Sequence, residues 1–455
     1  MKRNFHSNGE YKVNVMKNSK KKEKEKMMDV ICGILLLLTF IALIVYCIKG
    51  GNLLIGFIVT AVLWCIIGQV PIQTVVKDIF AGSVAAYGDT IAIIIFGAWF
   101  GRALVDTGIA GYIIKKTVEL AGDKPLVTTI ALNLVCMLIF TSAFGVGSVM
   151  AIGMIVLPIL VSMGVNKKIA AGAYLIAVAG GMWLNIAYVS QFFAVFDDIT
   201  YDNRYISFGI IATVVHAVIL LAYILFYFKK DHPNPKKMRA WAMPSQSSNT
   251  DNLKGYVMLV PFIPIVMVAI FKWLPVPSFL VGITLALLLT GNFKTYKKAV
   301  DKIQKTLYDG VADSGLLIGM LYSVNIFQAA ARANAPLLQK LLGDVIPNSP
   351  IILLIGFIIL APLALFRGPL MIWGSGIALA SILQAMGAFD SAFLFMIFLV
   401  PPVTIVACSC PTQSWTMWAL NYEKIDSKDH IFRNLPFGWI LTAIILVSGY
   451  LFYYL

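Results

Sequence analysis

The sequence predicts an all-α polytopic membrane protein made of two inverted repeats, each with about five transmembrane helices, one re-entrant hairpin and one broken helix. Of the 455 residues, 59% are apolar and only 13% are charged, and the mean hydropathy is +0.84. This composition excludes most water-soluble globular proteins and is typical of chains that cross a bilayer many times. Two glycine-rich breaks and a repeated spacing predict the internal organisation.

Two polar, glycine-rich breaks interrupt long apolar runs, one in each half of the chain. The first is residues 140–150 (FTSAFGVGSVM), and the second is residues 365–376 (LFRGPLMIWGSG). In hydrocarbon, irregular backbone survives only where protein or a water-filled cavity supplies hydrogen-bond partners. Each break is therefore predicted to be the tip of a re-entrant hairpin. Broken segments in corresponding halves indicate the binding site of a secondary transporter.

A third break, at residues 177–191, predicts a helix that unwinds around paired glycines and polar side chains. The alternative is a small-residue packing face with polar contacts between helices.

Features of the helix, the hairpin and the broken helix all recur in the second half at an offset of 222 positions. The matching pairs are Gly97 with Gly319, Phe144 with Phe366, Ser190 with Thr412 and Gln191 with Gln413. Met163 and Gly164 match Met386 and Gly387 at an offset of 223. Such a near-constant offset predicts a duplicated unit, and an odd number of crossings inverts the second copy.

The duplication divides the chain into four parts. Residues 1–28 form a basic tail that is predicted to be disordered, since they carry nine Lys/Arg residues and no apolar periodicity. Residues 29–229 and 255–455 are the two transmembrane repeats. Residues 230–254, rich in Pro, Ser and Asn, form the linker between them. No cleavable signal peptide is expected, because the first long apolar run has the length of a spanning helix.

Membrane orientation explains the formal net charge of +14 better than nucleic-acid binding does, because the basic residues cluster in the tail and in loops between apolar segments. If both hairpins return to their own side, most loop charges, including Lys236 and Lys237, fall on one face. That face is predicted to be cytoplasmic. Simple counting then places the basic tail outside, unless residues 71–88 provide one more crossing. We expect a multi-pass protein of the cytoplasmic membrane, with the lipid bilayer and no nucleic acid as its partner.

The stretch at residues 96–110 (FGAWFGRALVDTGIA), read with the two tips, resembles the gluconate permease and citrate transporter families of the ion transporter superfamily. The resemblance covers most of residues 50–455 in layout. It implies a secondary carrier of a small organic anion such as gluconate, citrate or another carboxylate, an elevator-type displacement and a homodimer. The Ser-Asn-Thr triplets of sodium-coupled dicarboxylate carriers are absent from both tips, which disfavours sodium coupling and dicarboxylate specificity.

The resemblance also implies which residues contact the substrate. At the first tip they are Ser142, Gly145, Gly147 and Ser148, and at the second tip they are Arg367, Gly368, Gly374 and Ser375. From the unwound helices, the resemblance implies Asn185, Ser190 and Gln191 facing Thr412, Gln413 and Ser414. We expect no metal and no cofactor beyond a coupling ion, H⁺ or less favourably Na⁺.

Arg367 is also singled out by physical chemistry, because a guanidinium keeps its charge and is unfavourable in an apolar segment unless it is paired. A substrate carboxylate would provide a bidentate partner. The alternatives are a protein carboxylate as partner, or a side chain that extends to the membrane interface. Helix N-termini at the tips would add positive potential and so favour an anion.

Three carboxylates beside apolar helices are candidates for carrying a coupling proton. They are Asp89, Asp106 and Asp313, with Asp106 and Asp313 preferred. For Asp106 the alternative is a structural ion pair with Arg102, which lies one turn earlier.

Other polar residues in apolar segments have structural and functional explanations of similar weight. Asn325 and Gln328 either line the substrate path or bond between helices. His216 more often has a hydrogen-bonded structural role than a titrating one. No phosphate-binding loop, metal cluster or nucleophile constellation is present in the sequence, which excludes most enzymes and ATP-driven pumps. The rival interpretations are a cation/proton antiporter, an amino-acid permease and a channel.

Overall fold

A computed structural model describes residues 6–49, 51–82, 85, 87–193, 195–196, 199–231, 253–342 and 349–454. The regular structure of these ranges is helical. Within them, six helices are long and apolar enough to cross a membrane, or eight if each of two bent pairs forms one span, and shorter apolar helices lie between them. The predicted all-α polytopic membrane fold is confirmed.

The helices of the first half run from α1 to α10. They are α1 (His6–Ile48), α2 (Leu53–Ile67), α3 (Ile72–Thr74) with a π-helical turn (Val75–Gly82), α4 (Gly88–Asp106), α5 (Ile109–Ala121), α6 (Pro125–Phe140), α7 (Val146–Ser162), α8 (Lys167–Gly181), α9 (Ile186–Phe193) and α10 (Asn203–Lys230). Helices α6 and α7 are the arms of the first hairpin. Helices α8 and α9 form the first broken helix, with a bend of 62°.

The second half has the same order of elements. It contains a 3₁₀ segment (Gly255–Phe262), α11 (Ile263–Ala269), α12 (Pro275–Leu289), α13 (Tyr296–Ala333), α14 (Ala335–Leu342), α15 (Pro350–Ile359), a 3₁₀ segment (Ala361–Arg367), α16 (Gly376–Met386), α17 (Ser391–Pro401), a π-helical segment (Pro402–Val406), α18 (Ala407–Ser409), α19 (Ser414–Glu423) and α20 (Ser427–Tyr454). Helix α12 begins 222 positions after α2, so the offset found in single residues also spaces whole helices.

Helix α1 begins at His6, which corrects the prediction of a disordered tail up to residue 28. Lys and Glu, which make up residues 20–26, are good helix formers. The apolar span at Lys26–Tyr46 already provides a helical nucleus. Extending that helix backwards requires no new nucleation, so the tail needs no apolar face to be helical.

The linker prediction falls mainly outside the described residues. Helix α10 ends at Lys230, and the description resumes at Leu253. Lys236 and Lys237, which were expected to face the cytoplasm, lie outside the described ranges.

Tyrosine hydroxyls satisfy backbone carbonyls where the first broken helix unwinds. The hydroxyl of Tyr205 donates to the carbonyl of Trp183 at 2.6 Å, and that of Tyr201 donates to the carbonyl of Leu184 at 2.6 Å. Both carbonyls lack a helical partner because the chain leaves α8 at Gly181. These bonds explain how irregular backbone is tolerated at this depth.

The second broken helix lies between α17 and α19. Pro401 and Pro402 have no backbone N–H, and the helix widens into π-helical geometry from Pro402. Asn434 on α20 donates its Nδ2 to the carbonyl of Cys408 at 3.0 Å and to that of Gly172 on α8 at 3.3 Å. One amide therefore joins the two broken helices.

The long helix α13 carries the contact between the two repeats, since it packs along both α2 and α4. Phe327 on α13 packs against Phe57 and Trp64 of α2. Trp99 on α4 donates its Nε1 to Oγ1 of Thr306 on α13 at 2.9 Å. This packing fixes α4 beside α13 where both pass the first hairpin tip.

Candidate functional site

A cavity of about 120 Å³ lies between the two hairpin tips, the two broken helices and α13. Its walls are contributed by both repeats. The lining residues are Phe144, Gly145, Val146, Tyr188, Gln191, Asp313, Leu316, Leu317, Met320, Arg367, Trp373, Gln413, Ser414 and Trp415. The two breaks that predicted a site from the sequence therefore border the same space.

The first tip turns at Gly145, whose φ of +95° is favourable only for glycine. Asn185, in the unwound part of the first broken helix, holds this tip. Its Nδ2 donates to the carbonyls of Phe140 and Ala143, each at 2.9 Å, and its Oδ1 accepts from the N–H of Tyr188 at 3.0 Å. Asn185 thus positions the tip from behind the cavity wall.

The second tip turns at Phe366 and Arg367, whose φ angles are 54° and 64°. The carbonyl of Arg367 accepts two hydrogen bonds from Ser375, one from its backbone N–H at 3.0 Å and one from its Oγ hydroxyl at 3.3 Å. A Cβ at Gly374 would overlap the backbone of Arg367, so glycine is required for this close approach. The tip is a compact loop closed on the backbone of Arg367.

The side chain of Arg367 is half-buried and lines the cavity. Its Nη1 lies 3.4 Å from the carbonyl oxygen of Trp373, and its Nη2 lies 3.3 Å from that of Thr412. These long contacts to neutral acceptors hold the guanidinium between the second tip and the second broken helix.

Asp313 faces the cavity from α13 and forms an ion pair with Arg102 of α4. Nε of Arg102 donates to Oδ2 of Asp313 at 2.6 Å, and Nη2 donates to Oδ1 at 2.8 Å. The two side chains are only 22% and 12% exposed. A Cβ at Gly147 would overlap both of these groups, so the first tip closes directly over the pair.

Asp106 does not pair with Arg102, although the sequence spacing allows it. Its Oδ2 lies 3.1 Å from Nζ of Lys305, and its backbone carbonyl accepts from Nζ of Lys302 at 2.9 Å. Arg102 instead pairs with Asp313 because α13 lies alongside α4. Asp106 is at the C-terminal end of α4 and is not among the residues that line the cavity.

Three polar atoms on cavity-lining residues are buried without a hydrogen-bond partner among the described residues. They are Nε1 of Trp373, Nε1 of Trp415 and Oε1 of Gln413. Two helix N-termini also adjoin the cavity, at Gly145 before α7 and at Gln413 before α19, and within the described chain neither has a side-chain cap. Unpaired N–H groups and helix N-termini are suited to binding an anion.

The predicted substrate-binding and proton-carrying residues fall into two groups. Those that line the cavity are Gly145, Gln191, Arg367, Gln413, Ser414 and Asp313. Those outside its lining are Ser142, Gly147, Ser148, Asn185, Ser190, Gly368, Gly374, Ser375, Thr412 and Asp106. Two serines of the second group bond back to the backbone instead: at the first tip, Oγ of Ser148 donates to the carbonyl of Phe144 at 3.0 Å, and within α9, Oγ of Ser190 donates to that of Ile186 at 2.7 Å.

Sequence reasoning missed the aromatic walls, Tyr188, Trp373 and Trp415, which all lie next to a backbone break. Their position beside a break was the signal that the sequence offered. A buried Trp or Tyr carries a polar atom that normally finds a hydrogen-bond partner, so such a residue beside irregular backbone is a candidate for the site.

The remaining polar candidates lie elsewhere. Gln328 donates to the carbonyl of Val195 at 2.8 Å, and His216 accepts at Nδ1 from Nε1 of Trp183 at 3.0 Å. These contacts agree with the structural alternatives for both residues. Asp89 is exposed in the first turn of α4, where a carboxylate stabilises a helix. Asn325 is buried but does not line the cavity.

The fold is that of a multi-pass membrane protein, and the cavity lies between its two repeats. A family model described as "DcuC: C4-dicarboxylate anaerobic carrier" matches residues 82–386, and the chain belongs to this family. The family is thus DcuC, which corrects the gluconate permease and citrate transporter families named from the resemblance. Membership places the chain among carriers and not among enzymes.

Among solved structures, the chain is similar to the YdaH transporter of Alcanivorax borkumensis, whose crystal structure is described as having an unusual topology. The TM-score is 0.50 and the sequence identity 15%, over 83% of this chain and 87% of that chain. This likeness supports the fold. A comparison with individual curated proteins gives no match.

Proposed function

We propose that this protein is a secondary active carrier of a small organic anion, with C4-dicarboxylates as the first candidates, and that the substrate binds in the cavity between the two tips. The family description supplies the substrate class. The single observation that carries the site is the convergence of positive groups on one cavity from two repeats.

The cavity combines three kinds of group that favour an anion. Arg367 brings a permanent positive charge. The N-termini of α7 and α19 add the partial positive charge of a helix end. The indole N–H groups of Trp373 and Trp415 are donors that lack a partner within the described chain. Asp313 is the opposing charge, and Arg102 already neutralises it.

The size of the cavity favours a small substrate. Pockets for drug-sized ligands measure roughly 300–1,000 Å³, whereas this cavity measures about 120 Å³. Its apolar lining, Leu316, Leu317 and Met320 on α13, suits a short carbon chain between polar ends. Gluconate and citrate, the substrates expected from the resemblance, are larger and more polar and become the rival substrates.

The absence of Ser-Asn-Thr triplets at the tips disfavours dicarboxylates as substrates and sodium as the coupling ion. The family description favours dicarboxylates and so speaks against the first inference. We retain the second and propose proton symport, with Asp313 as the proton carrier that borders the cavity. Asp106 is the less favoured carrier because it lies outside the cavity lining. Elevator-type movement, a homodimer and a location in the cytoplasmic membrane complete the proposal.

Uptake into proteoliposomes tests this function. Purified protein is reconstituted and supplied with labelled succinate, citrate, gluconate or an amino acid, with and without an imposed proton or sodium gradient. We expect succinate to accumulate when the proton gradient is directed inward. The Arg367→Ala protein, reconstituted in equal amount, is the matched control and should show little accumulation.

Three outcomes would contradict the proposal. Accumulation of citrate or gluconate but not succinate would shift the substrate class. Sodium-driven accumulation without a proton effect would change the coupling ion. Cation movement against protons with no anion uptake would favour the antiporter alternative.

A further inference from the structure

An open groove of about 410 Å³ runs along the first turns of α13, and most of its lining is lysine. The lining residues are Thr295, Lys297, Lys298, Asp301, Lys302 and Lys305. Four ammonium groups and one carboxylate leave this lysine groove with a clear excess of positive charge. None of these residues lines the cavity between the two tips. The groove therefore needs an explanation separate from the substrate site.

The lysine groove lies on the side of α13 that faces away from the protein. On the packed side, Thr306 bonds to Nε1 of Trp99 on α4, and a Cβ at Gly310 would overlap the backbone of Trp99. Lys297 and Lys305 are both exposed and lie on the other side of the helix. The helix is thus amphipathic at this end, with one side buried against α4 and the other side basic.

The depth of the lysine groove in the membrane follows from its contacts with α4. Helix α4 has 19 residues and rises by about 28 Å, which matches the hydrocarbon thickness of about 30 Å. At its end, the carbonyl of Asp106 accepts from Nζ of Lys302 at 2.9 Å, and Oδ2 of Asp106 lies 3.1 Å from Nζ of Lys305. The groove is therefore level with the end of a membrane-spanning helix, where lipid headgroups lie.

Exposed tyrosines flank the lysines on α13. Tyr296 is 87% exposed and Tyr308 is 65% exposed. Tyrosine is enriched at membrane–water interfaces, because its ring is apolar and its hydroxyl is polar. Val311, three positions after Tyr308, is exposed as well. Towards the membrane, the exposed side of the helix thus changes from lysine to tyrosine to an apolar residue, as a lipid changes from headgroup to acyl chain.

The ammonium groups of the lysine groove are available to a ligand. Lys297 and Lys298 take no part in the ion pairs of the described chain. Lys302 and Lys305 contact Asp106, but each ammonium has three N–H donors and so retains capacity for a second partner. Even with Asp106 counted, the positive charges outnumber the negative ones.

We propose that the lysine groove binds the headgroup of an anionic phospholipid, with Lys297 and Lys298 as the main contacts to its phosphate. Clusters of lysine close to a membrane surface attract anionic lipids, and the ammonium of lysine binds phosphate as a point charge. The acyl chains follow the exposed side of α13 past Tyr308 and Val311.

A lipid in this position acts on the contact between the two repeats. Lys302 and Lys305 belong to α13 of the second repeat, and they hold the end of α4, which belongs to the first. A bound headgroup neutralises the mutual repulsion of the lysines and so stabilises the end of α13 beside α4. Because the lipid binds the folded protein, it should also raise the temperature of thermal unfolding.

Native mass spectrometry of the full-length protein in detergent tests the proposal, because it resolves each bound lipid by mass. The protein is titrated with phosphatidylglycerol, which is anionic, and with phosphatidylcholine, which is zwitterionic and has the same acyl chains. We expect phosphatidylglycerol to bind more tightly and to raise the unfolding temperature more than phosphatidylcholine does. An excess of glycerol 3-phosphate, which lacks acyl chains, should not displace the bound phosphatidylglycerol.

A double variant locates the site. Lys297→Gln combined with Lys298→Gln should weaken phosphatidylglycerol binding by about 30-fold, since each lysine near an anionic membrane surface contributes about fivefold in affinity. Lys229→Gln combined with Lys230→Gln is the matched control, because it removes the same charge from another exposed lysine pair, at the end of α10. The control should change the affinity by less than threefold.

The comparison of ligands on the wild-type protein decides the proposal even if a variant fails to fold. Equal binding of the two lipids overturns the proposed anionic headgroup. Displacement by glycerol 3-phosphate would show that the groove binds a soluble anion instead of a lipid. An equal loss of binding in both double variants would mean that total charge, and not the lysine groove, attracts the lipid. None of these results bears on the proposed substrate, which is measured separately by uptake.

Discussion

The two hairpin tips both contain left-handed backbone, but at different types of residue. Gly145 and Arg367 are 222 positions apart, and both have left-handed backbone, with φ of 95° and 64°. Glycine adopts this conformation without steric strain, whereas a larger residue held there costs of the order of 1–3 kcal/mol. At the second tip two non-glycine residues, Phe366 and Arg367, are held in left-handed backbone, and the side chain of Arg367 lines the cavity.

The tips also differ in what holds them. At the first tip, the amide of Asn185 makes two hydrogen bonds to backbone carbonyls. At the second tip, Sγ of Cys410 accepts the N–H of Phe366 at 3.2 Å, and the guanidinium of Arg367 contacts the carbonyl of Thr412. The first tip is therefore fixed to its broken helix by the side chain of Asn185, and the second partly by the side chain of Arg367, which also lines the cavity.

The largest effect is expected from Arg367→Gly, which makes the second tip resemble the first. The substitution relieves the left-handed strain but removes the charge. Substrate affinity should fall by about 30- to 5000-fold, the usual result of removing one partner of a desolvated charge pair. Thermal stability should not fall, and the two quantities can be measured in the same preparation by calorimetric binding and thermal unfolding.

Arg367→Lys refines this comparison, because it retains the charge and loses only the planar fork. Arg204→Lys is the matched control, since the guanidinium of Arg204 also donates to a carbonyl, that of Tyr453, but does not line the cavity. Unchanged affinity in Arg367→Gly would show that Arg367 is structural.

The next largest effect is expected from Asn185→Ala at the first tip. The change removes two bonds to the tip and leaves buried carbonyls unsatisfied, which should lower the free energy of unfolding by about 1–3 kcal/mol. Asn133→Ala is the control, because in the described part of the chain the amide of Asn133 bonds within α6, to the carbonyl of Thr129. A loss of stability no greater than that of the control would mean that Asn185 does not hold the tip.

A smaller effect is expected when either cavity indole is replaced. Trp373→Phe and Trp415→Phe each remove an N–H donor that has no partner in the described chain. If these groups donate to the substrate, each change should lower affinity by about 2- to 12-fold, the equivalent of one hydrogen bond. Trp99→Phe is the control, because it breaks the bond to Thr306 and should lower stability without changing affinity.

The sequence was most informative where the bilayer leaves few possible structures. Polar, glycine-rich runs inside apolar segments have few possible structures in a bilayer, so both tips and the first broken helix were predicted near their observed positions. The near-constant offset then predicted the order of the second repeat. Arg367 was found because a charge in such a segment requires an explanation.

The site was less predictable where side-chain direction or distant contacts decide. Ser148 and Ser375 were expected to contact the substrate, but both are fully buried and bond back to the backbone of their own tips. The partner of Arg102 was missed because Asp313 is 211 positions away, whereas Asp106 is one turn away. Spacing along one helix cannot show which neighbouring helix lies closer.

The smallest effect is expected from Cys410→Ala at the second tip. The thiol of Cys410 is a weak acceptor for the N–H of Phe366 and also lies 3.0 Å from Oγ1 of Thr412. Its loss should lower stability by less than about 1 kcal/mol, below a typical hydrogen bond. Cys410→Ser should retain the contact. Cys408→Ala is the control, because the thiol of Cys408 contacts the carbonyl of Val403 and Nε2 of His216 and not the tip.

Binding measurements on Cys410→Ala connect this result to the difference between the tips. If Arg367 is the main link between the second tip and its broken helix, substrate affinity should change less than twofold, because the substrate itself can hold the tip through the guanidinium. An effect as large as that of Asn185→Ala would mean that both tips depend on a structural side chain. The strained backbone of Arg367 would then need an explanation other than its charge.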